Sequence, residues 1–357
     1  SHGGCETGPV AVRPDNPDVA YSGCFGGRLA RFDYATQQFR QIRDYPENQA
    51  GMPESGLRYR IQWNAPIVIS PHDPGILYHG SQYVHRSTNE GQSWEVLSPD
   101  LTAADTSKFG MAGGPITHDI TGVETYSSLL ALAESHHQAG EIWTGSNDGK
   151  VFLTRDNGGS WVDVTPPALP NPSTVNRIDL SVHVPGKAYV TAYRYRLDDF
   201  RPYVFRTSDY GATWTLLTNG NNGIPPNHPV RVVREDSQRD GLLFAGTEFG
   251  LFVSFDDGDH WQSLQLNLPV TPVTDLLVHH GDLVVATQGR SFWILDDITP
   301  LRELTAEVAT SNGFLFQPRP TYRTSARGTV GNWDRDRILG ATLPRSWKGQ
   351  NPPEGVI

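Results

Sequence analysis

Hydrophobic and polar residues alternate along most of this chain in short runs, each ending at a cluster of Gly, Pro, Asn or Asp. Such runs read as half-buried strands joined by turns. Val230–Glu235, Leu242–Gly246 and Leu251–Phe255 form three successive runs, and after a tight turn Trp261–Leu264 forms a fourth. The same order recurs over residues 62–97, 126–164 and 174–217. Residues 8–42 give a further meander with a degenerate turn at Asp33, and residues 272–296 a last one, with strands Val273–Val278, Leu283–Thr287 and Phe292–Leu295. A single meander cannot bury both of its faces, whereas radial stacking of meanders buries them against one another. The expected fold is therefore an all-β protein, a β-propeller with about six visible four-stranded blades over residues 1–297. Two packed sheets linked by hairpins are the competing arrangement.

The turn between the third and fourth strand carries a repeated pattern, [ST]-x-[DN]-x-G-x-x-W. It runs from Ser87 to Trp94, Thr154 to Trp161, Thr207 to Trp214 and Ser254 to Trp261, the starts lying 67, 53 and 47 residues apart. Asn89, Asp156, Asp209 and Asp256 are placed to accept backbone N–H groups one or two residues onward. Gly91, Gly158, Gly211 and Gly258 supply a positive φ. The tryptophans Trp94, Trp161, Trp214 and Trp261 are expected to fold back over their own hairpins. Repetition at equivalent positions argues for a structural rather than a catalytic role of the acidic residues.

After Asp297 the pattern changes. Thr299-Pro300 reads as a helix start running to about Val308, Phe314–Phe316 as one more strand that would complete the last blade, and residues 318–357 as an extended Arg-, Gly- and Pro-rich tail. The chain has 357 residues, with 29 basic and 39 acidic side chains and a net charge of −10, which opposes nucleic-acid binding. No apolar run is long enough for a membrane span. The N-terminal residues lack the basic and apolar regions of a signal peptide. No phosphate loop, dinucleotide fingerprint, Gly-x-Ser-x-Gly or calcium-loop spacing occurs, and no cofactor or metal is expected. Asp100 to Asp105 is expected to form a short helix. The pairs His136-His137 and His279-His280 fall in turns between first and second strands, and Asp296-Asp297 is placed to cap a turn.

With its boxes, the sequence resembles the Asp-box, or bacterial neuraminidase repeat, proteins, and in particular the bacterial branch with sortilin-like propellers often labelled glycosyl hydrolase. The resemblance also rests on Ser70-Pro71-His72-Asp73-Pro74, Leu197 to Tyr203, Ala245 to Phe252 and Gly289 to Asp297. It extends over roughly residues 8–357. It implies that this chain is an internal piece of a longer secreted or periplasmic protein, with blades before it and a small β-sandwich after residues 351–355. Partners would then be a carbohydrate or a peptide, and the remainder of a larger propeller assembly. Sialidase activity is not implied: the Arg-Ile-Pro signature is missing at Arg60-Ile61-Gln62, and no arginine triad is assignable. Tandem-propeller xyloglucanases carry similar boxes and draw two carboxylates from separate propellers. Export also favours a disulfide between Cys5 and Cys24, although pairing about the 15–18 turn sets Cys24 opposite Pro9, so that the first residues would have to fold back.

Strand parity separates the two rims. Box turns share one rim with the turns joining first and second strands. The other rim carries the long connections over residues 43–61, 98–125 and 219–229, and the insert Tyr193–Pro202. Long loops on a rigid scaffold usually carry function. Candidates there are Arg60, Trp63, Tyr195, Arg196, Arg201 and Arg290 as ligand-binding residues, and Asp198, Asp199 and Glu248 as carboxylates. Such a set fits sugar or peptide binding, hydrolysis by paired carboxylates, or ion pairs that lock the insert in place. A binding or scaffold module is the first expectation; a glycoside hydrolase acting on a polysaccharide is the alternative.

Overall fold

Five four-stranded antiparallel sheets and one three-stranded sheet follow one another along the chain in the computed structural model, which describes residues 8–111 and 120–320. Blade one contains β1 (Val10–Val12), β2 (Val19–Cys24), β3 (Arg28–Asp33) and β4 (Gln38–Gln41). Blade two contains β5 (Ile67–Ile69), β6 (Leu77–Gly80), β7 (Val84–Ser87) and β8 (Glu95–Val96). In blade three β9 (Leu129–Glu134) is followed by β10 (Ile142–Ser146), β11 (Val151–Thr154) and β12 (Val162–Asp163). Blade four has β13 (Thr174–Leu180), β14 (Ala188–Arg194), β15 (Asp199–Thr207) and β16 (Thr215–Leu216). Blade five has β17 (Val230–Glu235), β18 (Leu243–Thr247), β19 (Gly250–Ser254) and β20 (Gln262–Ser263), and blade six has β21 (Val273–His279), β22 (Asp282–Thr287) and β23 (Phe292–Leu295). First strands of successive blades touch, from β1 with β5 to β17 with β21. This is a six-bladed β-propeller, as the meanders predict.

Its core lies between blades. Val19, Tyr21 and Leu29 of blade one pack with Ile67 and Leu77 of blade two. Tyr78 and Val84 of blade two pack with Leu129, Leu132 and Ile142 of blade three. Tyr189 and Val204 of blade four meet Val230, Val233 and Leu243 of blade five. Blades two to five are apolar on both faces because each face meets a neighbour, whereas Leu277, Phe292 and Ile294 of blade six are exposed.

The box turns join these blades. In each, the Ser or Thr hydroxyl donates to the acidic or amide residue two positions on and accepts the box glycine N–H, as in Ser87 Oγ with Gly91 N at 2.8 Å and Thr207 Oγ1 with Gly211 N at 2.9 Å. Asn89, Asp156, Asp209 and Asp256 accept the backbone N–H four residues onward, at 2.9, 2.8, 2.8 and 2.9 Å. That span is longer than the one or two residues expected, because two consecutive left-handed residues widen the turn: Asp257 has φ 62° and Gly258 φ 91°. The tryptophans do not shield their own hairpins. Their indole N–H groups donate to carbonyls at the end of the preceding blade: Trp94 to Ile42 (2.7 Å), Trp161 to Leu97 (3.3 Å), Trp214 to Val164 (2.9 Å) and Trp261 to Leu217 (3.3 Å). The box glycines approach the same four residues. A Cβ on Gly91, Gly158, Gly211 or Gly258 would stand 2.6, 2.5, 2.6 or 2.5 Å from a side-chain atom of Ile42, Leu97, Val164 or Leu217.

Several local expectations need correction. The loop from Pro14 to Asp18 sets Val10 opposite Ser22, and Gly23 N–H donates to Pro9 O, so Cys24 faces Gly8 rather than Pro9. Cys24 is disulfide-bonded, and Cys5 lies outside the described residues. Between Asp100 and Asp105 no helix forms; the single 3₁₀ turn is Thr106–Lys108, started by Asp105, whose carboxylate accepts Ser107 N–H at 3.2 Å. The stretch 193–202 is a hairpin extension, since β15 already begins at Asp199, opposite Arg194.

The chain divides into two compact units, Ser1–Leu295 and Asp296–Ile357. Within the second, the expected helix is two short ones, α1 (Thr299–Glu303) and α2 (Ala306–Thr310). Thr305 breaks the first and caps the second by accepting Val308 N–H at 3.3 Å. The N-cap of α1 is Ile298, not Thr299, while Asp297 Oδ1 accepts Thr299 N–H at 3.1 Å. Phe314–Phe316 is not a strand, and residues 321–357 of the expected tail lie outside the described residues.

Replacing Gly258 by Ala forces a Cβ onto Leu217 and a left-handed backbone onto a β-carbon. The expected cost is about 2–4 kcal/mol in urea unfolding. In a Leu217→Ala background the steric part is relieved, and Gly258→Ala should then add only about 1–2 kcal/mol. Equal costs in both backgrounds would contradict the inter-blade contact.

Candidate functional site

Antiparallel meanders put the first-to-second and third-to-fourth strand turns on one rim and the remaining connections on the other. On the second rim lies a cavity of about 250 Å³ lined by Lys108, Tyr126, Pro172, Ser173, Thr174, Tyr193, Arg194, Arg196 and Leu197. Four separate pieces of chain build it. Lys108 ends the 3₁₀ turn in the connection from blade two to three, and Tyr126 precedes β9. Residues 172–174 lead into β13, and residues 193–197 form the tip of the β14–β15 hairpin.

The hairpin tip is held by an ion-pair network. Asp199 accepts from Arg194 at 2.8 Å, from Arg201 at 2.9 and 2.8 Å, and from the Tyr203 hydroxyl at 2.8 Å. Hydrogen bonding to Arg201 holds its carboxyl far below the usual carboxylate range, and burial only partly opposes this. Asp198 takes the left-handed conformation (φ 58°) that closes the 3₁₀ turn Tyr195–Leu197. Tyr193 and Tyr195 stack at 4.8 Å, and Arg231 of blade five lies over both rings, at 4.7 and 5.0 Å. Arg231 also pairs with Glu248 and donates to the Tyr195 hydroxyl at 3.3 Å. Burial disfavours the Arg231 charge, but Glu248 and the two phenols more than offset this and raise its pKa.

Of the residues singled out from sequence, only Arg196 lines the cavity; it is exposed, with its guanidinium 5.9 Å from the Tyr195 ring centre. Tyr195 and Arg201 belong to the hairpin but not to the cavity wall. Arg60 is 7% exposed and serves as a strut: it donates to Ser127 O (2.9 Å), Asp100 (2.6 Å) and Thr102 (3.2 Å), and packs over Phe109 at 4.7 Å. Trp63 is partly buried, its backbone N–H bound to Val123 O at 3.1 Å. Arg290 is exposed in the β22–β23 turn, where its carbonyl accepts the Trp293 indole N–H at 2.9 Å. Sequence reasoning missed Lys108, Tyr126, Tyr193 and Arg194. Lys108 lies inside the 98–125 connection and Tyr193 and Arg194 inside the insert named above, while Tyr126 directly follows that connection. Among the described residues no cluster of His, Cys, Asp or Glu has the arrangement of a metal site. No helix among them is long and apolar enough to cross a membrane.

No family model matches the chain, and no curated protein matches it. Solved structures do. A GH74 xyloglucanase from Xanthomonas campestris aligns with a TM-score of 0.56 at 16% identity, over 80% of this chain and 44% of its own. The Niastella koreensis GH74 enzyme aligns at 0.54 and 16%, over 81% and 44%. The extracellular domain of a protein described as a hybrid two component system from B. thetaiotaomicron aligns at 0.54 and 14%, over 84% and 35%. This chain thus spans less than half the length of each. At these identities the likeness is one of fold, the β-propeller.

The Asp199 network gives a pH dependence of definite sign. Its folded-state pKa lies below the unfolded value, so its contribution is complete above about pH 4 and is lost as pH falls toward the folded value. Asp199→Asn should therefore lower stability by about 1–3 kcal/mol at pH 7, and the gap to wild type should close progressively between pH 4 and 2. A gap that widens on acidification would refute the ion-pair assignment.

Proposed function

We propose that this chain is a carbohydrate-binding propeller module of a larger extracellular protein, with its ligand in the cavity beside the β14–β15 hairpin. The observation that carries this reading is the composition of the cavity wall. Tyr126 offers ring surface, Leu197 and Pro172 an apolar floor, and Lys108 and Arg196 exposed N–H donors. A ring with adjacent donors suits a sugar, which has apolar C–H faces and a polar edge. Lys108 is braced for this: its ammonium stands 5.3 Å from the Tyr126 ring centre and donates to the phenol oxygen at 3.4 Å. Fold-level likeness to a xyloglucanase and to an extracellular domain agrees with the class of ligand and with export, as an analogy only. The box repeats and the resemblance to sortilin-like propeller proteins point the same way.

The rival reading, hydrolysis by a carboxylate pair, finds less support. Asp199 and Glu248 each sit in an ion pair with arginine. The Asp199 carboxyl, held far below the usual carboxylate range by Arg201, stays ionised and does not serve as the general acid that glycoside cleavage requires. Among the described residues, none of the cavity-lining side chains is a carboxylate.

The test is calorimetric titration with xyloglucan and uronate-containing oligosaccharides, run beside an assay for reducing-sugar release. Binding without release is expected. Tyr126→Ala and Arg196→Ala should each weaken it by about tenfold while shifting the melting temperature by no more than a few degrees. Unchanged affinity in both variants, or turnover by the pure chain, would overturn the reading.

A further inference from the structure

A second cavity, of about 230 Å³, opens on the opposite side of the propeller, between the ends of the first strands of blades two to five. Val68, Ile69, Leu132, Ile178 and Leu180 give part of its wall an aliphatic character, and Glu134, His136, Asp179 and Arg234 supply its polar groups. Glu134 is 5% exposed. Its Oε1 accepts the Tyr78 hydroxyl at 3.1 Å and Gly140 N–H at 2.8 Å, while its Oε2 is buried without a hydrogen-bond partner. Arg234 does not neutralise it, being committed to Asp179 (2.9 Å), Asp275 (3.0 Å) and the Leu276 carbonyl (2.9 Å). Two arginines, Arg177 and Arg234, thus pair with two aspartates, and Glu134 has no arginine or lysine in an ion pair with it.

The same motif two blades on shows what is missing. Glu235 ends β17 as Glu134 ends β9, and it accepts the Tyr189 hydroxyl at 3.0 Å and Gly241 N–H at 3.3 Å in the same arrangement. Its Oε2 is likewise unpartnered, but Lys187, two residues before Tyr189, brings an ammonium to 3.0 Å from Oε1. Ile76 occupies the corresponding position two residues before Tyr78. A buried carboxylate without a counter-charge is costly, and an incoming cation relieves that cost.

We propose that this cavity binds a primary ammonium group on a short aliphatic stem, with Glu134 taking the ammonium and the aliphatic part of the wall taking the stem. The source is either the side chain of a lysine in a peptide or a free alkylamine. This site is independent of the one at the hairpin rim.

The test uses pentylamine, pentanol and Nα-acetyl-lysine amide as probes, followed by NMR titration and by a crystal soaked with pentylamine. Pentylamine should bind and pentanol should not, and Glu134→Gln should weaken pentylamine by about ten- to hundredfold. Because Gln preserves shape but changes charge, Leu180→Phe provides a second variant that fills the cavity and leaves Glu134 in place; it should abolish binding too. Arg196→Ala should leave the affinity unchanged. Tighter binding of the lysine derivative than of pentylamine identifies a peptide as the source, and the reverse order a free amine. Equal affinity for wild type and Glu134→Gln, no binding of either amine, or a cavity holding only water in the soaked crystal would overturn the proposal.

Discussion

One contact recurs at four of the five blade junctions: the turn of one blade closes on the residue that ends the blade before it. The indole of Trp94, Trp161, Trp214 or Trp261 takes that residue's carbonyl, and the adjacent box glycine lies flat against its side chain. A side chain at the glycine would separate the blades, and loss of the indole would leave a buried or half-buried carbonyl without its donor. The residue before each glycine adds a further tie. Glu90 meets Arg13 and Arg31, Asn157 meets Arg86, Tyr210 lies under Arg155, and Asp257 meets Arg206 and Lys187. The turn is thus a hairpin closure and an inter-blade clamp at once, and blade angle follows from it.

Between blades five and six no box is present. There the tie lies nearer the first strands, where Arg234 of β17 grips Asp275 of β21 and Asp179 of β13. Burial disfavours the Arg234 charge, but the two aspartates more than offset this and raise its pKa. Buried ion pairs of this kind add little net stability, yet they penalise every misaligned packing. On the rigid blades, irregular connections build the rim cavity. The rim cavity is walled by four pieces of chain, and three polar struts brace the rim: Arg60 under the long connections, Asp199 in the hairpin, and Arg231 between neighbouring blades.

Fold and candidate site were not equally legible in the sequence. Blade boundaries could be read because strand alternation and the box are local patterns, each complete within a few residues. What the tryptophans bind could not be read, since the acceptor is 44 to 64 residues away in sequence. The charged insert lies on the rim of the long connections, as strand parity implied, but its arginines and carboxylates satisfy one another, and composition does not distinguish a self-satisfied cluster from an open one. Arg60 was read as a ligand-binding candidate with Trp63, yet its partner Asp100 lies 40 residues onward. Lys108 and Tyr126 drew no notice because neither stands in a motif; they meet only when a long connection folds across the rim. Glu134 and its missing cation become visible only when two blades are overlaid, which is a property of the repeat and not of the residue.

Hydrogen exchange of the indole N–H groups tests the clamp most directly. If these bonds hold the blades together, the indoles of Trp94, Trp161, Trp214 and Trp261 should exchange only as slowly as the central strand amides, through global opening, while that of Trp293, half-buried on the edge strand β23 and bonded only to Arg290 O of its own hairpin, exchanges faster. Box indoles that exchange at the rate of a free side chain, while the strands stay protected, would show the clamp to be incidental and the account wrong.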